Sequence, residues 1–199
     1  METTDRLAVT PPLHQPAREP SFWAIVREDR RTNLNSLLRP GFQAMFMYRL
    51  GRWAAEEPRK RRPFLWIAKL LRLYIRNFYS IEMYWSANIG RRFTIGHQGA
   101  IVMHQLCTIG DDCTIRQGVT IGVADEWDPS GGPVLGNNVD IGAGAMILGN
   151  VRIGNNVRVG PTAVVTTDVP DNSTVFAPPS RVSTPEPATA EQGAGSPNS

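Results

Sequence analysis

From Ile89 onward an aliphatic residue returns at every sixth position: Ile89, Ile95 and Ile101, then Ile109, Ile115 and Ile121, then Leu135, Ile141, Ile147, Ile153, Val159 and Val165. A small or short-branched residue stands four positions further on, as at Gly99, Cys113, Val119, Val139, Ala145, Val151, Val157 and Ala163. A period of six excludes an amphipathic helix, which repeats every 3.6 residues, and a half-buried strand, which alternates every two. It fits a parallel β-helix, in which each hexad is one flat face and three hexads close a triangular coil. Each aliphatic side chain then stacks on its counterpart about 4.8 Å away in the next coil. Twelve hexads make four coils. The series slips twice, by two residues before Ile109 and by more at residues 123–134 (VADEWDPSGGPV), which are expected to protrude as a loop that shapes a site.

Ahead of the hexads the period is helical. Breaks at Arg39-Pro40-Gly41, Pro58 and Pro63 divide residues 21–80 into three helices. The first opens at Ser21, the second carries Phe42, Met45, Phe46, Leu50 and Trp53, and the third runs from about Pro63 to Tyr79. In the third, apolar residues from Phe64 to Phe78 leave a polar face of Lys69, Arg72 and Arg76, and Arg59, Lys60, Arg61 and Arg62 precede it. Such a helix either packs against its own bundle or oligomer, or lies as a peripheral contact on an anionic membrane surface. Residues 1–20 and 183–199 hold too few apolar groups to offset their ordering entropy and are expected to be disordered tails. The expected organisation is therefore a tail (1–20), a helical segment (21–80), a β-helix (81–182) and a second tail (183–199).

With 199 residues, 41% of them hydrophobic, the chain suits one domain with a modest appendage. Its two cysteines, Cys107 and Cys113, lack the Cys/His company of a zinc site or a disulfide scaffold, so a reducing, cytoplasmic setting is expected. No apolar run is long enough to span a bilayer, and Met1–Pro20 lacks the apolar core of a signal peptide. The net charge of +3 hides an asymmetry: residues 1–80 hold 15 Lys/Arg against 7 Asp/Glu, and residues 81–199 hold 6 against 11. Positive charge alone does not make a nucleic-acid site, and none is expected.

The hexads resemble those of the left-handed β-helix acyltransferases, the hexapeptide-repeat transferases, and it is this resemblance that implies the left hand. Within them His97-Gln-Gly-Ala-Ile-Val, Gln117-Gly-Val-Thr-Ile-Gly122 and Ile141-Gly-Ala-Gly-Ala-Met-Ile-Leu-Gly-Asn150 are similar to the serine acetyltransferase group, over about residues 81–182. A nearer likeness is to the colanic acid type of polysaccharide acetyltransferase, through Ile89-Gly-Arg-Arg-Phe-Thr-Ile95, His97, the Gly110–Gly122 block and the short helical leader with Tyr48-Arg49-Leu50.

The resemblance implies acetyl-CoA as donor, a homotrimer, and a cofactor groove between neighbouring subunits. Transfer from a thioester to an alcohol needs a base, and imidazole is suited by its pKa. His97 matches the position of the catalytic histidine. Glu82, 15 residues earlier, stands where the serine enzymes carry the aspartate that holds it. Gly122 matches the oxyanion donor, and Gly122, Ala143, Gly160 and Pro161 match the small residues along the pantetheine arm, although a coil needs glycines at its turns in any case. Arg158 is one candidate for the cofactor phosphates. His104 is either a turn side chain or an acceptor contact. Zinc chemistry of the β-helical carbonic anhydrase kind needs three histidines where the hexads hold two, so no metal is expected. The serine enzymes' Asp before the catalytic His, and their Arg-His pair late in the loop, read here as Gly96, Gly131 and Gly132. The loss of three charged contacts, each typically worth ~1.5 to 3 kcal/mol, favours a larger hydroxyl-bearing acceptor such as a saccharide of an exopolysaccharide or capsule, with room for it over Gly131-Gly132. Serine O-acetylation for cysteine synthesis and a non-catalytic scaffold are the alternatives.

Overall fold

The structure, a computed structural model, describes residues 20–123 and 131–181. The expected tails and most of the expected loop fall outside them. Helices α1 (Phe22–Thr32), α2 (Pro40–Glu56) and α3 (Arg62–Tyr79) lie where the apolar spacing puts them. Ser21 is extended at the head of α1, but its side chain makes no capping bond. Pro40 and Pro63 sit in first turns, where a missing N–H leaves no bond unmade.

Fourteen strands of two or three residues follow among the described residues, and they form the three faces of a coil. Face A holds β1 (Ile81–Glu82), β4 (Ile101–Met103), β7 (Thr120–Gly122), β10 (Met146–Leu148) and β13 (Val164–Val165). Face B holds β2 (Asn88–Ile89), β5 (Thr108–Ile109), β8 (Val134–Leu135) and β11 (Arg152–Ile153). Face C holds β3 (Thr94–Ile95), β6 (Thr114–Ile115), β9 (Asp140–Ile141), β12 (Arg158–Val159) and β14 (Thr174–Val175). Every pairing is parallel and joins a strand to one a full coil away, which makes a parallel β-helix of about four turns.

The register corrects one reading of the hexads. Ile101 pairs with Ile81, and Met103 pairs with Ile121, which in turn meets Ile147 and Val165. Met103, not Ile101, therefore stands in the aliphatic column of face A. The two-residue slip consequently lies before β4: eight positions separate Ile95 from Met103, where Ile115 and Ile121 are six apart. The extra residues enlarge the corner at residues 96–100, where Gly99 (φ 114) and Ala100 (φ 50) take left-handed conformations. In sequence Ile101 and Met103 are equally apolar, and both are fully buried.

Cys107 and Cys113 point inward among these columns. Burial pushes their thiols up to about 12 and about 11, so they behave as small apolar core residues. At the corner between faces B and C a polar ladder carries the turn from coil to coil. Asp111, Asn137, Asn155 and Asp171 accept the backbone N–H groups of Arg91, Asp111, Asn137 and Asn155 at 2.8, 2.8, 2.9 and 2.8 Å.

The helical segment closes one end of this stack. The first coil has an outer edge whose backbone groups face no further strand, and a buried edge left unpaired is costly. Tyr48 of α2 donates its hydroxyl to the Ala87 carbonyl (2.8 Å) and accepts from the Ile89 N–H (2.9 Å). Arg49 donates to the carbonyls of Ile89 (2.9 Å) and Gly90 (2.6 Å), while its Nε binds Asp29 of α1 at 2.8 Å. Gly41 lets the start of α2 settle on β3: a Cβ there would lie 2.5 Å from the Ile95 carbonyl oxygen. Gly41→Ala is therefore expected to lower stability by about 1–3 kcal/mol, read as a drop in the urea midpoint at unchanged slope.

Candidate active site

A triangular coil repeats its corners, so residues far apart in sequence line up along one edge. The corner between faces C and A carries His97, Gln117, Ala143 and Pro161 in successive coils, two residues after Ile95, Ile115, Ile141 and Val159. At one strand spacing per coil this column is about 14 Å long. Gly160 adjoins Pro161 in it. Arg158 lies exposed on face C, two residues before Gly160. The structure thus brings His97 into one line with Ala143, Gly160 and Pro161.

The corner between faces A and B gathers a second set. The His104 N–H donates to the Ile121 carbonyl (2.8 Å), and a Cβ on Gly122 would lie 3.8 Å from His104 Cβ. Gly131 and Gly132 return to the same corner just before β8. The rest of the enlarged corner and the three residues of β4 part His97 from His104, so the two histidines stand at opposite ends of face A. Within one chain, therefore, the expected base lies at one corner, and the expected oxyanion donor Gly122 lies at the other with His104, Gly131 and Gly132.

His97 stands on the enlarged corner with an exposed side chain, and among the described residues it has no hydrogen-bond partner. Glu82 lies on the outer side of face A, paired in register with Val102, and its carboxylate accepts from the Tyr84 hydroxyl at 3.0 Å. No hydrogen bond joins it to His97. His104 is half-buried, and its Nδ1 accepts the Leu106 N–H at 3.3 Å, which gives it the work of a turn side chain. The room expected over Gly131-Gly132 is not open at Gly132. That residue is buried, and a Cβ there would lie 2.8 Å from the Leu106 carbonyl, so this glycine serves close backbone packing.

A cavity of about 280 Å³ opens beside His97 instead, between the coil and the link from α1 to α2. Ser36, Leu38, Arg39 and Gly41 line one side, and Gly96, His97 and Gln98 the other. In sequence Arg39-Pro40-Gly41 reads as a helix break, and nothing in its spacing ties it to His97. The tie is the Gly41–Ile95 approach, a tertiary contact. Arg39 has no ion-pair partner among the described residues, and it lines the cavity across from His97. No group of three or more His, Cys, Asp or Glu that could hold a metal exists among the described residues.

Residues 132–167 match the family described as Bacterial transferase hexapeptide (six repeats). A serine acetyltransferase of Helicobacter pylori is 41% identical over 115 residues, which cover 58% of this chain and 64% of that protein. The putative colanic acid biosynthesis acetyltransferase WcaB of Escherichia coli is 45% identical over 92 residues, covering 45% of this chain and 56% of that one. The chain thus spans less than two thirds of the length of these relatives. Among solved structures, the serine acetyltransferase of Brucella abortus in complex with coenzyme A superposes with a TM-score of 0.69 at 25% identity, over 82% of this chain and 68% of that one. The six-residue period, the three-faced coil and these matches agree: the chain is a parallel β-helix whose residues 132–167 match bacterial hexapeptide-transferase repeats, and it is similar to serine acetyltransferases and to the colanic acid type.

Proposed function

We propose that the chain is an acetyl-CoA-dependent O-acetyltransferase with His97 as general base. The observation that carries this is the line of His97, Gln117, Ala143 and Pro161 along one corner: an exposed imidazole heads a column that runs past Gln117 to the small residues Ala143, Gly160 and Pro161, against which an extended pantetheine arm can lie. In the proposed step His97 takes the proton of the acceptor hydroxyl as its oxygen attacks the thioester carbon. The C–O bond forms, the tetrahedral oxyanion collapses, the C–S bond breaks, and the imidazolium returns its proton to the departing thiolate. Glu82 would have to leave Tyr84 to hold the imidazolium.

The active unit we propose is a homotrimer. Face A presents Val102, Met146 and Val164 outward, 41%, 41% and 59% exposed, and both corner sets flank it. A cyclic interface joins different surfaces of neighbouring copies. Covering face A in that way brings the His97 corner of one protomer towards the Gly122 corner of the next, and so completes a site that one chain holds in halves.

For the acceptor, the names of the relatives favour L-serine. The second reading, a saccharide hydroxyl of an exopolysaccharide building block, is supported by glycine at positions 96, 131 and 132, where the serine group's pattern has charged residues, and by the cavity beside His97. The experiment is CoA release from acetyl-CoA with L-serine in one arm and hydroxyl-bearing sugars with lipid-linked oligosaccharides in the other. Serine-dependent turnover supports the first reading, and sugar-dependent turnover the second. Silence in both arms, with acetyl-CoA binding absent by calorimetry, would overturn the enzyme reading and favour the scaffold.

A further inference from the structure

Helix α3 turns its richer apolar face outward. It packs through Ala68 and Ile75, both buried, with Leu71 and Tyr79 partly so. The opposite side carries Trp66, Ile67, Leu70, Leu73, Tyr74 and Phe78, and of these Trp66, Leu70 and Phe78 are 56%, 65% and 73% exposed. At 100° per residue the six lie within an arc of about 140°, broken only by the amide of Asn77, along about 18 Å of the helix. An apolar surface of this extent on one element marks a site of contact.

The charge on this element is of one sign. From Pro58 to Ile81 the chain has seven Lys/Arg and no Asp/Glu. Arg61 is engaged with Glu57 and stacks over Trp53, and Arg72 lies over the Tyr84 ring and donates to the Met83 carbonyl. Lys69 and Arg76 flank the apolar arc, with the Lys69 ammonium 4.7 Å from the Trp66 ring, and Arg59 and Arg62 stand at the head of the helix. Aromatic rings amid aliphatic residues, with cations along one edge and no carboxylate on the helix, match the boundary of an anionic bilayer: rings and aliphatics at acyl depth, cations at the phosphates. A second copy docked through this same face would set these cations against their equals.

We propose that α3 is a membrane-docking helix that lies in the plane of an anionic lipid surface. No helix among the described residues is long and apolar enough to cross a membrane, so the contact is peripheral. This proposal stands independently of the acetyl-transfer reading.

The test is co-sedimentation of the full chain with vesicles of phosphatidylcholine containing about one quarter phosphatidylglycerol, against pure phosphatidylcholine vesicles. The expected result is binding to the anionic vesicles at least tenfold tighter, weakening as salt rises. It comes with a blue shift of tryptophan emission that Trp66→Phe largely removes. Leu70→Glu/Leu73→Glu should abolish binding, and Lys69→Glu/Arg76→Glu should erase the anionic preference, while both variants keep the circular dichroism and mass of the parent. Three outcomes would overturn the proposal: no sedimentation with either vesicle, equal binding to both, or an oligomer that dissociates in Leu70→Glu/Leu73→Glu, which would mean that a second copy covers the face.

Discussion

His97→Ala is expected to lower acetyl transfer by about 10²–10⁴-fold, the usual contribution of a positioned general base. Its melting temperature should match the parent's, because the side chain is exposed and makes no hydrogen bond among the described residues. That pairing of effects distinguishes a chemical role from a structural one. A loss of activity with a lowered Tm would mean that the enlarged corner had collapsed. A variant that keeps its kcat would remove His97 from the chemistry. The measurement is thiol release at saturating acetyl-CoA beside a thermal melt of the same preparation.

Arg49→Met should carry the largest stability cost, about 3–5 kcal/mol, because it leaves Asp29 as an unpaired charge in a buried site. The Asp29 side chain is 1% exposed and that of Arg49 9%. Burial pushes the Asp29 carboxyl above the usual carboxylate range, and Arg49 holds it partly down. Without Arg49 the carboxyl rises further. An acid whose folded pKa exceeds its unfolded value contributes stability fully below the unfolded pKa, about 4 for Asp, and loses it as pH rises through the folded pKa. The penalty of Arg49→Met should accordingly be smaller at pH 5 than at pH 7.5 by urea unfolding. Asp29→Leu added to it should recover much of the loss, since a buried pair is replaced by apolar groups far more cheaply than it is halved. The carbonyls of Ile89 and Gly90 lose a donor in either variant, and that part of the cost is independent of pH.

The solenoid was legible because a period of six has few structural solutions, and the helix boundaries because proline and glycine punctuate residues 39–63. The His97 corner was misread by two residues: in Ile101-Val102-Met103 two apolar residues alternate about one outward valine, and only the pairing with Ile121 says which of them belongs to the column. The division of the candidate site between two corners is carried by the order of the hexads. His97 follows the second hexad of a coil and Gly122 the third, so the two fall at different corners. Helix α3 misleads for a different reason. Periodicity finds its apolar residues, but the side that packs is set by tight fit against α2 and β1, and that fit selected Ala68 and Ile75 and left the larger residues outside.

The coils of this stack differ in length. Pairings join residues 20 apart at Ile81 and Ile101, 18 at Val102 and Thr120, 26 at Thr120 and Met146, and 16 at Arg158 and Thr174, yet the aliphatic columns continue through all of them. Extra residues enter at corners, where they displace no core atom. The interior thus works as a ruler with fixed divisions and the corners as places where text can be inserted. Lineages of such a chain can lengthen or shorten what they present one corner at a time, while the columns beneath keep their register.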